Sequence, residues 1–376
     1  MKKIRIIGLA ALIAVWASLT LGAWLKPADS ISESERRNLA QFPELTVQTI
    51  LNGKFMSNFE DYTLDQFPLR DTFRKIKALF HYNALGQKDN NGIYIVDGYA
   101  GKQEYPLNEQ SVIRAASRFE HLYKKYLADT NSAVFMTVVP DKGQYLADEN
   151  GNLKLDINEM MRLLEEQMPW ATHVDLTGVL SAQDYYRTDT HWRQENLLGV
   201  ASVLCEALSV SAPQESDYGI TAVTRPFYGV YYGQAALPLE PDTLLFLQSP
   251  LLESCSTYVA QLDPKTGEAM FQKLYDGVYD LNKMDGKDLY EVFLSGTQGI
   301  LRIDNPNAQT DRELILIRDS FGSSIAPLLL QDYCSVTLVD IRSVQIDFLD
   351  KFLDFHGQDV LFLYSTLVLN NSNTLK

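Results

Sequence analysis

The chain has 376 residues and a formal net charge of −15, because 33 Lys and Arg stand against 48 Asp and Glu. A protein that binds nucleic acid needs a basic surface, so this balance and a pI of about 4.8 exclude nucleic acid as a partner. Hydrophobic residues make up 46% of the chain, which excludes wholesale disorder and supplies a core for roughly two domains. Three widely spaced cysteines allow at most one disulfide and predict small buried side chains at Cys205, Cys255 and Cys334.

The N-terminus carries a hydrophobic segment. Lys2, Lys3 and Arg5 precede an uncharged apolar run at residues 6–25, which is long enough to cross the hydrocarbon core of a bilayer. Because basic flanks tend to stay in the cytoplasm, this order predicts a single-pass cell-membrane protein whose remaining chain is extracytoplasmic. The end of the run fits a signal-peptidase site poorly, so we expect a retained anchor. A cleaved signal peptide and a buried core helix are the alternatives.

The next hundred residues show little regular periodicity. Residues 27–45 are polar, which predicts a stalk or linker. Aromatic residues recur at intervals of three to five between 52 and 70, which predicts a short helix packed by aromatic rings. The alternating segment at 92–99 contains an Asp-Gly turn and predicts a β-hairpin. We therefore expect an anchor or signal segment at 1–26 and a stalk and N-terminal packing segment at 27–105.

From about residue 106 onward, helical patterns alternate with short apolar strands. Asn108 is a predicted N-cap, and the apolar run at 133–139 predicts a strand covered on both faces. Further predicted helices are at 159–167, 194–208, 323–330 and 345–355, and further predicted strands are at 173–176, 313–317, 335–339 and 360–364. This alternation predicts an α/β domain at 106–376, with a mostly parallel sheet between two helical layers. Residues 211–310 are rich in Tyr, Gly and Pro and predict a β-rich insertion.

The first candidate motif is the stretch Tyr-Tyr-Arg-Thr-Asp-Thr-His-Trp at 185–192, which closes a loop before a helix. Asp189 and His191 stand two residues apart, so a local turn brings the carboxylate to the imidazole Nδ1. Such a contact fixes the tautomer and stabilises imidazolium, as the acid does in a nucleophile–base–acid relay. A structural hydrogen bond and a metal site are the alternatives. A metal would need ligands that the sequence does not place nearby, so we predict no metal and no cofactor.

The second candidate motif lies at the end of the predicted strand 313–317, where Asp319 and Ser320 precede a helix. This position is the C-terminal edge of a parallel sheet, where α/β folds bind ligands. Ser320 would expose its hydroxyl there and present backbone N–H groups to an oxyanion, and an N-cap serine is the alternative. We predict Ser320 as nucleophile, His191 as its base and Asp189 as the orienting acid. Further oxyanion donors are open, with Gly229, Gly233 and Asn305 as guesses.

Taken together, the motifs resemble the DHHW family of Gram-positive bacteria, which is similar to the SGNH-hydrolase-like domains of alginate O-acetylation proteins. The resemblance covers roughly residues 33–366. Its motifs are the stretch at 185–192, Arg-Asp-Ser-Phe-Gly at 318–322, and the upstream elements Glu-Arg-Arg at 35–37, Phe-Pro at 42–43, Asn-Gly-Lys-Phe at 52–55 and Asp-Gln-Phe-Pro-Leu-Arg at 65–70. The chain departs from the DHHW pattern at Thr190, which stands where the family name has its first His.

The resemblance implies an SGNH-hydrolase-like three-layer α/β fold with a Ser320–His191–Asp189 triad. It further implies a membrane-tethered, extracytoplasmic O-acetyltransferase or esterase that acts on a cell-surface or secreted polysaccharide. A membrane-bound O-acyltransferase is the implied partner, because no acetyl-CoA pool exists outside the cell to supply the donor. A catalytically inactive glycan-binding or cell-envelope assembly protein with the same fold is the alternative function.

Three residues of the first motif are predicted to contact the substrate, namely Tyr186, Arg187 and Trp192. Aromatic rings stack well on the faces of sugars, and core packing is the alternative for each of the two aromatic residues.

Overall fold

The computed structural model divides into two compact units. The first unit is formed by Met1–Asn91 and Tyr232–Pro238, and the second unit by Gly92–Tyr231 and Leu239–Lys376. The structure describes every residue except Met1, Glu33 and Pro264, which fall in the predicted anchor, linker and β-rich insertion and lie outside the described residues. The segment boundaries expected near residues 26 and 105 stay predictions.

The first unit begins with a long apolar helix, α1 (Lys2–Leu25). Its window Lys3–Leu25 has a mean hydropathy of 2.2 and no buried residues, so the helix is long and apolar enough to span a membrane. A signal sequence has the same properties. The other elements of the unit are β1 (Ile31–Ser32), β2 (Arg37–Asn38), α2 (Val47–Leu51), α3 (Lys54–Asp65) and α4 (Arg70–Leu79), which continues as a π-helical turn, Phe80–Ala84.

Aromatic rings and ion pairs hold the first unit together. Phe55, Phe59 and Tyr62 of α3 surround Phe42 with ring centroids 5.4 to 6.4 Å apart, which confirms the helix packed by aromatic rings. Asp65 ends the same helix and accepts hydrogen bonds from the Arg37 guanidinium and the Ala40 N–H. The Arg37 hydrogen bond is the largest cause of the lowered pKa of the Asp65 carboxyl. Arg37, Ala40 and Phe42 of the predicted stalk or linker are therefore in contact with α3.

The second unit contains most of the secondary structure. In chain order, its elements are β3 (Ile93–Val96), β4 (Tyr99–Lys102), α5 (Glu109–Leu122), β5 (Val134–Val139), α6 (Gly143–Leu146), α7 (Ile157–Gln167), β6 (Thr172–Val174), α8 (Leu198–Leu208), β7 (Gly219–Ala222), α9 (Val230–Ala235, whose C-terminal part belongs to the first unit), β8 (Leu245–Gln248), α10 (Pro250–Ser254), β9 (Ser256–Leu262), β10 (Ala269–Asp276), β11 (Ile300–Asp304), β12 (Arg312–Arg318), α11 (Gly322–Ile325), β13 (Tyr333–Val339), β14 (Asp359–Ser365) and α12 (Thr366–Leu369). The β3–β4 hairpin turns at Asp97-Gly98, both with positive φ, as predicted.

Eight strands form one sheet in the order β10-β9-β11-β13-β12-β14-β5-β6. Strands β13, β12, β14, β5 and β6 are parallel to one another, and β11, β9 and β10 continue the sheet antiparallel at one edge. The prediction of a mostly parallel sheet is confirmed. Because parallel strands end at one edge, the residues that follow β12, β14 and β5 lie side by side there.

The sheet lies between two helical layers. All six residues of β5 are buried, as predicted for a strand covered on both faces. Leu314 and Leu316 of β12 pack into one hydrophobic core with residues of α8 and α11, whereas Ile315 and Ile317 pack into another with α5 and α7. The Asn108 side chain accepts a hydrogen bond from the Ser111 N–H and caps α5, as predicted.

Three predicted helices differ in form. The helix expected at 345–355 is a short 3₁₀ helix, Ile346–Lys351, whose buried residues are three apart and suit three residues per turn. The helix expected at 194–208 begins with a 3₁₀ turn, Gln194–Asn196, before α8. The helix expected at 323–330 divides into α11 and a 3₁₀ turn, Ala326–Leu329, near whose start Pro327 lacks an N–H.

The region predicted as a β-rich insertion, 211–310, contains strands β7 to β11. Strands β7 and β8 form a separate hairpin. Strands β9, β10 and β11 instead belong to the antiparallel edge of the central sheet. The region therefore contributes to the core of the second unit.

Candidate active site

Ser320 lies two residues beyond the end of β12, at the C-terminal edge of the sheet. The N-cap of the following helix α11 is Phe321 and not Ser320, so the N-cap alternative is wrong. The Ser320 Oγ lies 2.7 Å from the His191 Nε2 instead. In the described part of the chain, the Ser320 backbone N–H donates to no group. The hydroxyl and the N–H are thus both available to a ligand at this edge.

The turn that carries Ser320 is fixed by the preceding residue. Asp319 Oδ1 accepts a hydrogen bond from the Phe321 N–H at 3.0 Å. Asp319 Oδ2 accepts two from Ser365 at the end of β14, from its N–H at 2.8 Å and from its hydroxyl at 2.6 Å. Because β14 pairs with β12, these bonds tie the turn to the neighbouring strand. The buried Asp319 therefore holds the backbone of Ser320 in place.

Asp189 and His191 lie on a tight loop between bridged residues Tyr185 and Trp192. Asp189 Oδ1 is 2.6 Å from the His191 Nδ1, and Oδ2 accepts a hydrogen bond from the Val230 N–H at 2.8 Å. A carboxylate only accepts, so Nδ1 carries the proton and the neutral ring presents Nε2 as acceptor to the serine hydroxyl. The structure thus brings Asp189, His191 and Ser320 into one hydrogen-bonded line.

A buried lysine lies behind this loop. Lys142 follows β5, and its Nζ donates to the carbonyl oxygens of Tyr186 and Asp189, each at 2.6 Å, and of Arg187 at 3.2 Å. The side chain is completely buried, and burial lowers the pKa of the ammonium to about 8. The sequence analysis missed Lys142, although a lysine three residues after a strand of mostly apolar residues was a readable signal.

Tyr290 packs on the imidazole. Its ring is stacked on His191 with centroids 3.8 Å apart and planes 10° apart, and its hydroxyl is 2.9 Å from the Ser324 Oγ. The Trp192 indole N–H also donates to that Oγ, at 2.8 Å. Tyr290 is buried, and burial raises the pKa of its phenol. These contacts leave the His191 ring with one orientation.

Two acids lie at the same sheet edge beyond the loop. Asp141 accepts a hydrogen bond from the Tyr231 hydroxyl at 3.0 Å, and that hydroxyl is also 3.1 Å from the Thr190 Oγ1. Glu104 accepts from the Thr366 hydroxyl at 3.0 Å. The pKa of Glu104 is raised to about 8, mainly by burial and secondly by the nearby charge of Asp141. Burial also raises the pKa of Asp141. At neutral pH the Glu104 carboxyl is therefore protonated.

Two of the predicted substrate contacts are inside the core. Tyr186 and Trp192 are fully buried, so their rings pack against protein and present no face to a sugar. For these two residues, core packing is the correct interpretation. The Arg187 side chain is exposed, and its substrate contact stays a prediction.

The guessed oxyanion donors lie elsewhere. The Gly229 N–H donates to the Thr188 hydroxyl at 2.8 Å, so it is already occupied. The Asn305 amide donates to the Leu330 and Tyr333 carbonyls, next to the start of β13 and therefore at the opposite edge from Ser320. Gly233 belongs to the first unit. Gly229 and Asn305 are therefore not oxyanion donors to Ser320 in this structure, and the guess at Gly233 stays a prediction.

Cys205 and Cys255 are buried, Cys334 is half-buried, and none forms a disulfide. Among the described residues, no group of three or more His, Cys, Asp or Glu side chains is arranged to hold a metal ion.

Solved structures with a similar fold include a DHHW family protein from Eubacterium siraeum, with a TM-score of 0.60, 21% identity, and coverage of 76% of this chain and 94% of that protein. PatB1 from Bacillus cereus, solved with a sulfonyl adduct, has a TM-score of 0.58, 16% identity, and coverage of 76% and 97%. The O-acetyltransferase domain of Pseudomonas putida AlgJ has a TM-score of 0.44, 13% identity, and coverage of 74% and 92%. No family model and no curated protein matches the sequence.

At these identities the likeness is one of fold. The structure is similar to a DHHW family protein, in agreement with the resemblance drawn from the motifs, and the SGNH-hydrolase-like α/β fold is confirmed.

Proposed function

We propose that the chain is a serine-dependent O-acyltransferase or acetylesterase that acts on a cell-surface or secreted polysaccharide. The observation that carries the proposal is the line of hydrogen bonds from Asp189 through His191 to Ser320. A serine whose hydroxyl is bonded to an imidazole that is itself oriented by a carboxylate is the arrangement of nucleophilic acyl transfer.

The mechanism follows from the donors and acceptors in that line. His191 Nε2 accepts the hydroxyl proton of Ser320 while Oγ attacks the acyl carbonyl, and Asp189 stabilises the imidazolium. The free N–H of Ser320 donates to the oxyanion. His191 then returns the proton to the leaving oxygen, which leaves an acyl-serine. A sugar hydroxyl or a water attacks this ester with His191 as base and regenerates the serine.

Location and substrate rest on the N-terminal helix and on the family resemblance. If α1 spans the membrane, the basic residues before it keep the N-terminus in the cytoplasm and the second unit outside. A transferase there needs an acyl donor delivered across the membrane, which a membrane-bound O-acyltransferase would supply. Arg187, exposed in the loop, is the residue we assign to substrate contact.

The decisive test compares the full chain in detergent with its Ser320→Ala variant. We expect the wild type to release acetate from a chromogenic acetyl ester and Ser320→Ala to lose this activity. Ser117→Ala, which changes an exposed serine on α5, is the matched control and keeps it. In parallel, a sulfonyl fluoride should modify Ser320, as mass spectrometry of the labelled peptide would report.

A second assay separates transfer from hydrolysis. The acylated enzyme is mixed with oligosaccharide acceptors, and acyl-oligosaccharide is measured against free acid. Turnover that survives Ser320→Ala would contradict the serine mechanism. A folded wild type that neither reacts with the sulfonyl fluoride nor turns over any ester would instead favour the inactive glycan-binding alternative.

A further inference from the structure

Helix α4 and the residues at its two ends carry an apolar face that is largely exposed in the described part of the chain, with one ring contact, between Phe73 and Phe67 at 5.6 Å. Leu69, Phe73, Ile76 and Phe80 are 67%, 43%, 56% and 56% exposed. Phe73 and Ile76 lie within α4, Leu69 is its N-cap and Phe80 begins the π-helical turn that follows. Spacings of four, three and four residues place them along one side. Ala78, on the opposite side, is completely buried. The helix is therefore amphipathic, and its apolar stripe faces outward.

Exposed apolar side chains concentrate in this part of the chain. Among the described residues, thirteen large hydrophobic side chains are exposed between positions 42 and 85, whereas ten are exposed between positions 92 and 376. Single exposed hydrophobic residues are ordinary on a protein surface, but such a local concentration marks an interaction surface.

The start of α4 lies against the C-terminal end of α1. A Cβ placed on Gly22 would lie 3.5 Å from the Cγ of Pro68, the residue directly before Leu69. Gly22 is about 13 Å along the axis from the middle of α1, at a rise of about 1.5 Å per residue. The half-thickness of a hydrocarbon core is about 15 Å. A membrane-spanning α1 therefore holds the start of α4 at the boundary between acyl chains and headgroups.

Hydrogen bonds stabilise this arrangement of α1 and the start of α4. The Gln66 amide, at the end of α3, donates to the Asp29 carbonyl at 2.8 Å and to the Ala40 carbonyl at 3.0 Å. Its own carbonyl accepts from the Asp29 N–H at 2.8 Å. The chain that leaves the anchor is thus tied within four residues of Leu25 to the segment that precedes α4.

The charges beside the stripe suit a lipid surface. Lys77 is exposed and lies beside the four apolar residues, and Lys75 is exposed farther around the helix. Lysines in this position extend toward phosphate groups while the apolar side chains enter the acyl region. Trp24, 86% exposed at the end of α1, is a residue type enriched at the same depth.

We propose that α4 lies along the surface of the membrane, with Leu69, Phe73, Ile76 and Phe80 inserted at the acyl–headgroup boundary and Lys77 on anionic headgroups. The occupant of the stripe is the lipid bilayer. This inference rests on the proposed role of α1 as a membrane anchor and adds a second membrane contact to it. The first unit is then held on the bilayer by two helices instead of one.

The test is thiol accessibility of the full chain in vesicles of phosphatidylcholine and phosphatidylglycerol. Ile76→Cys and Phe73→Cys report on the stripe in a Cys334→Ser background, since the other two cysteines are buried. Lys124→Cys, at a side chain 67% exposed in the turn that follows α5, is the control and corrects for chains that face the vesicle lumen. A membrane-impermeant maleimide should label both stripe positions about tenfold or more slower than the control, because a residue at the acyl boundary is shielded from water.

The outcomes separate the alternatives. Protection that persists when lipid is added in large excess supports the bilayer as occupant. Protection that disappears on such dilution overturns the proposal in favour of a second copy of the chain, and labelling at the control rate overturns it outright. Carbonate extraction of the same vesicles tests α1 independently. A chain that stays in the membrane, hydrolyses ester and still labels rapidly at Ile76→Cys would refute only the role of α4.

Discussion

At the scale of single residues, Asp189 is the most direct test of the proposed relay. In Asp189→Asn an amide replaces the acceptor of the Nδ1 proton, so the imidazole adopts the wrong tautomer while the fold is kept. We expect kcat for ester hydrolysis to fall about a thousandfold to ten-thousandfold. Asp184→Asn, which changes an acid that is bonded to Ser181 directly before the loop, is the control. Retention of more than about a tenth of the wild-type kcat by Asp189→Asn would refute the assignment.

Lys142 is a positioning residue in this interpretation, because it touches the loop and not the reacting atoms. Lys142→Met keeps the length of the side chain and removes its three hydrogen bonds. Leaving buried carbonyl groups unpaired should lower the free energy of unfolding by about 2 to 4 kcal/mol. We also expect kcat to fall with little change in KM, measured beside Lys124→Met as a surface control. A variant with wild-type stability and kcat would show that the loop holds its shape without this lysine.

The comparison of His191 with His356 shows what a sequence cannot predict about single residues. A carboxylate two residues before a histidine selects His191, but His356 also follows an aspartate, Asp354, by two residues. His356 is exposed and lies 3.3 Å from Glu313, at the start of β12 and thus at the other edge of the sheet. Only the position relative to Ser320 distinguishes the two histidines, and that position depends on strand order.

At the scale of elements, the catalytic loop depends on a close approach between two backbone segments. A Cβ on Gly229 would lie 2.3 Å from both the Cα and the Cβ of Asp189. Because the nearest atoms include backbone, Gly229→Ala must displace the loop, and the adjacent Val230 N–H would lose its bond to the carboxylate. We expect a loss of kcat of about a hundredfold or more, since small misplacements of catalytic groups are costly.

Gly199 offers a matched control for that substitution. It lies in α8 with nothing within 4 Å of an added Cβ, so Gly199→Ala should leave kcat unchanged. It should raise stability by about 0.5 to 1 kcal/mol, since alanine is the better helix former. Equal kcat values for Gly229→Ala and the wild type would mean that Asp189 tolerates the shift and that the contact is unimportant.

Local patterns predicted the strands and the cap of α5 well because those depend on nearby residues. Strand β5 was readable from its continuous apolar run, and the β3–β4 hairpin from Asp97-Gly98. The contacts of Tyr290 and Lys142 with the loop could not be predicted from local patterns. Tyr290 is about 100 positions from His191, and Lys142 is about 45 positions from Tyr186. Aromatic residues of the motif were also misassigned, since a sequence does not distinguish a ring packed inside from one exposed to a sugar.

At the scale of the whole molecule, the sheet order decides what meets at the functional edge. Alternating helices and strands predicted a parallel sheet, but not that β12 lies between β13 and β14. That order places the turn at Asp319 and Ser320 beside Ser365, whose N–H donates to Asp319. It also brings the ends of β5 and β14 together, because the Thr366 hydroxyl oxygen accepts a hydrogen bond from the Asp141 N–H. The antiparallel edge strands were also not predicted, because neither composition nor periodicity states which sheet a strand joins.

The junction at Thr366 predicts how stability depends on pH. The pKa of Glu104 is about 8 in the folded chain, raised by burial and by Asp141, whereas the ordinary value is 4.5. The folded state therefore binds a proton between these values that the unfolded state has released. The stabilisation is complete below about pH 4.5 and is lost as pH rises through about 8, with a slope of up to about 1.4 kcal/mol per pH unit.

Glu104→Gln keeps the acceptor for the Thr366 hydroxyl and removes the titration. We expect the thermal midpoint of the wild type in detergent to fall between pH 5.5 and 8, and that of Glu104→Gln to fall by clearly less. Asp141 shares the junction and its pKa is also raised, so part of the slope persists in the variant. Glu149→Gln, at an exposed acid, should behave as the wild type. Parallel pH profiles for wild type and Glu104→Gln would mean that Glu104 is ionised in the folded protein, and that water reaches the junction between β5 and β14.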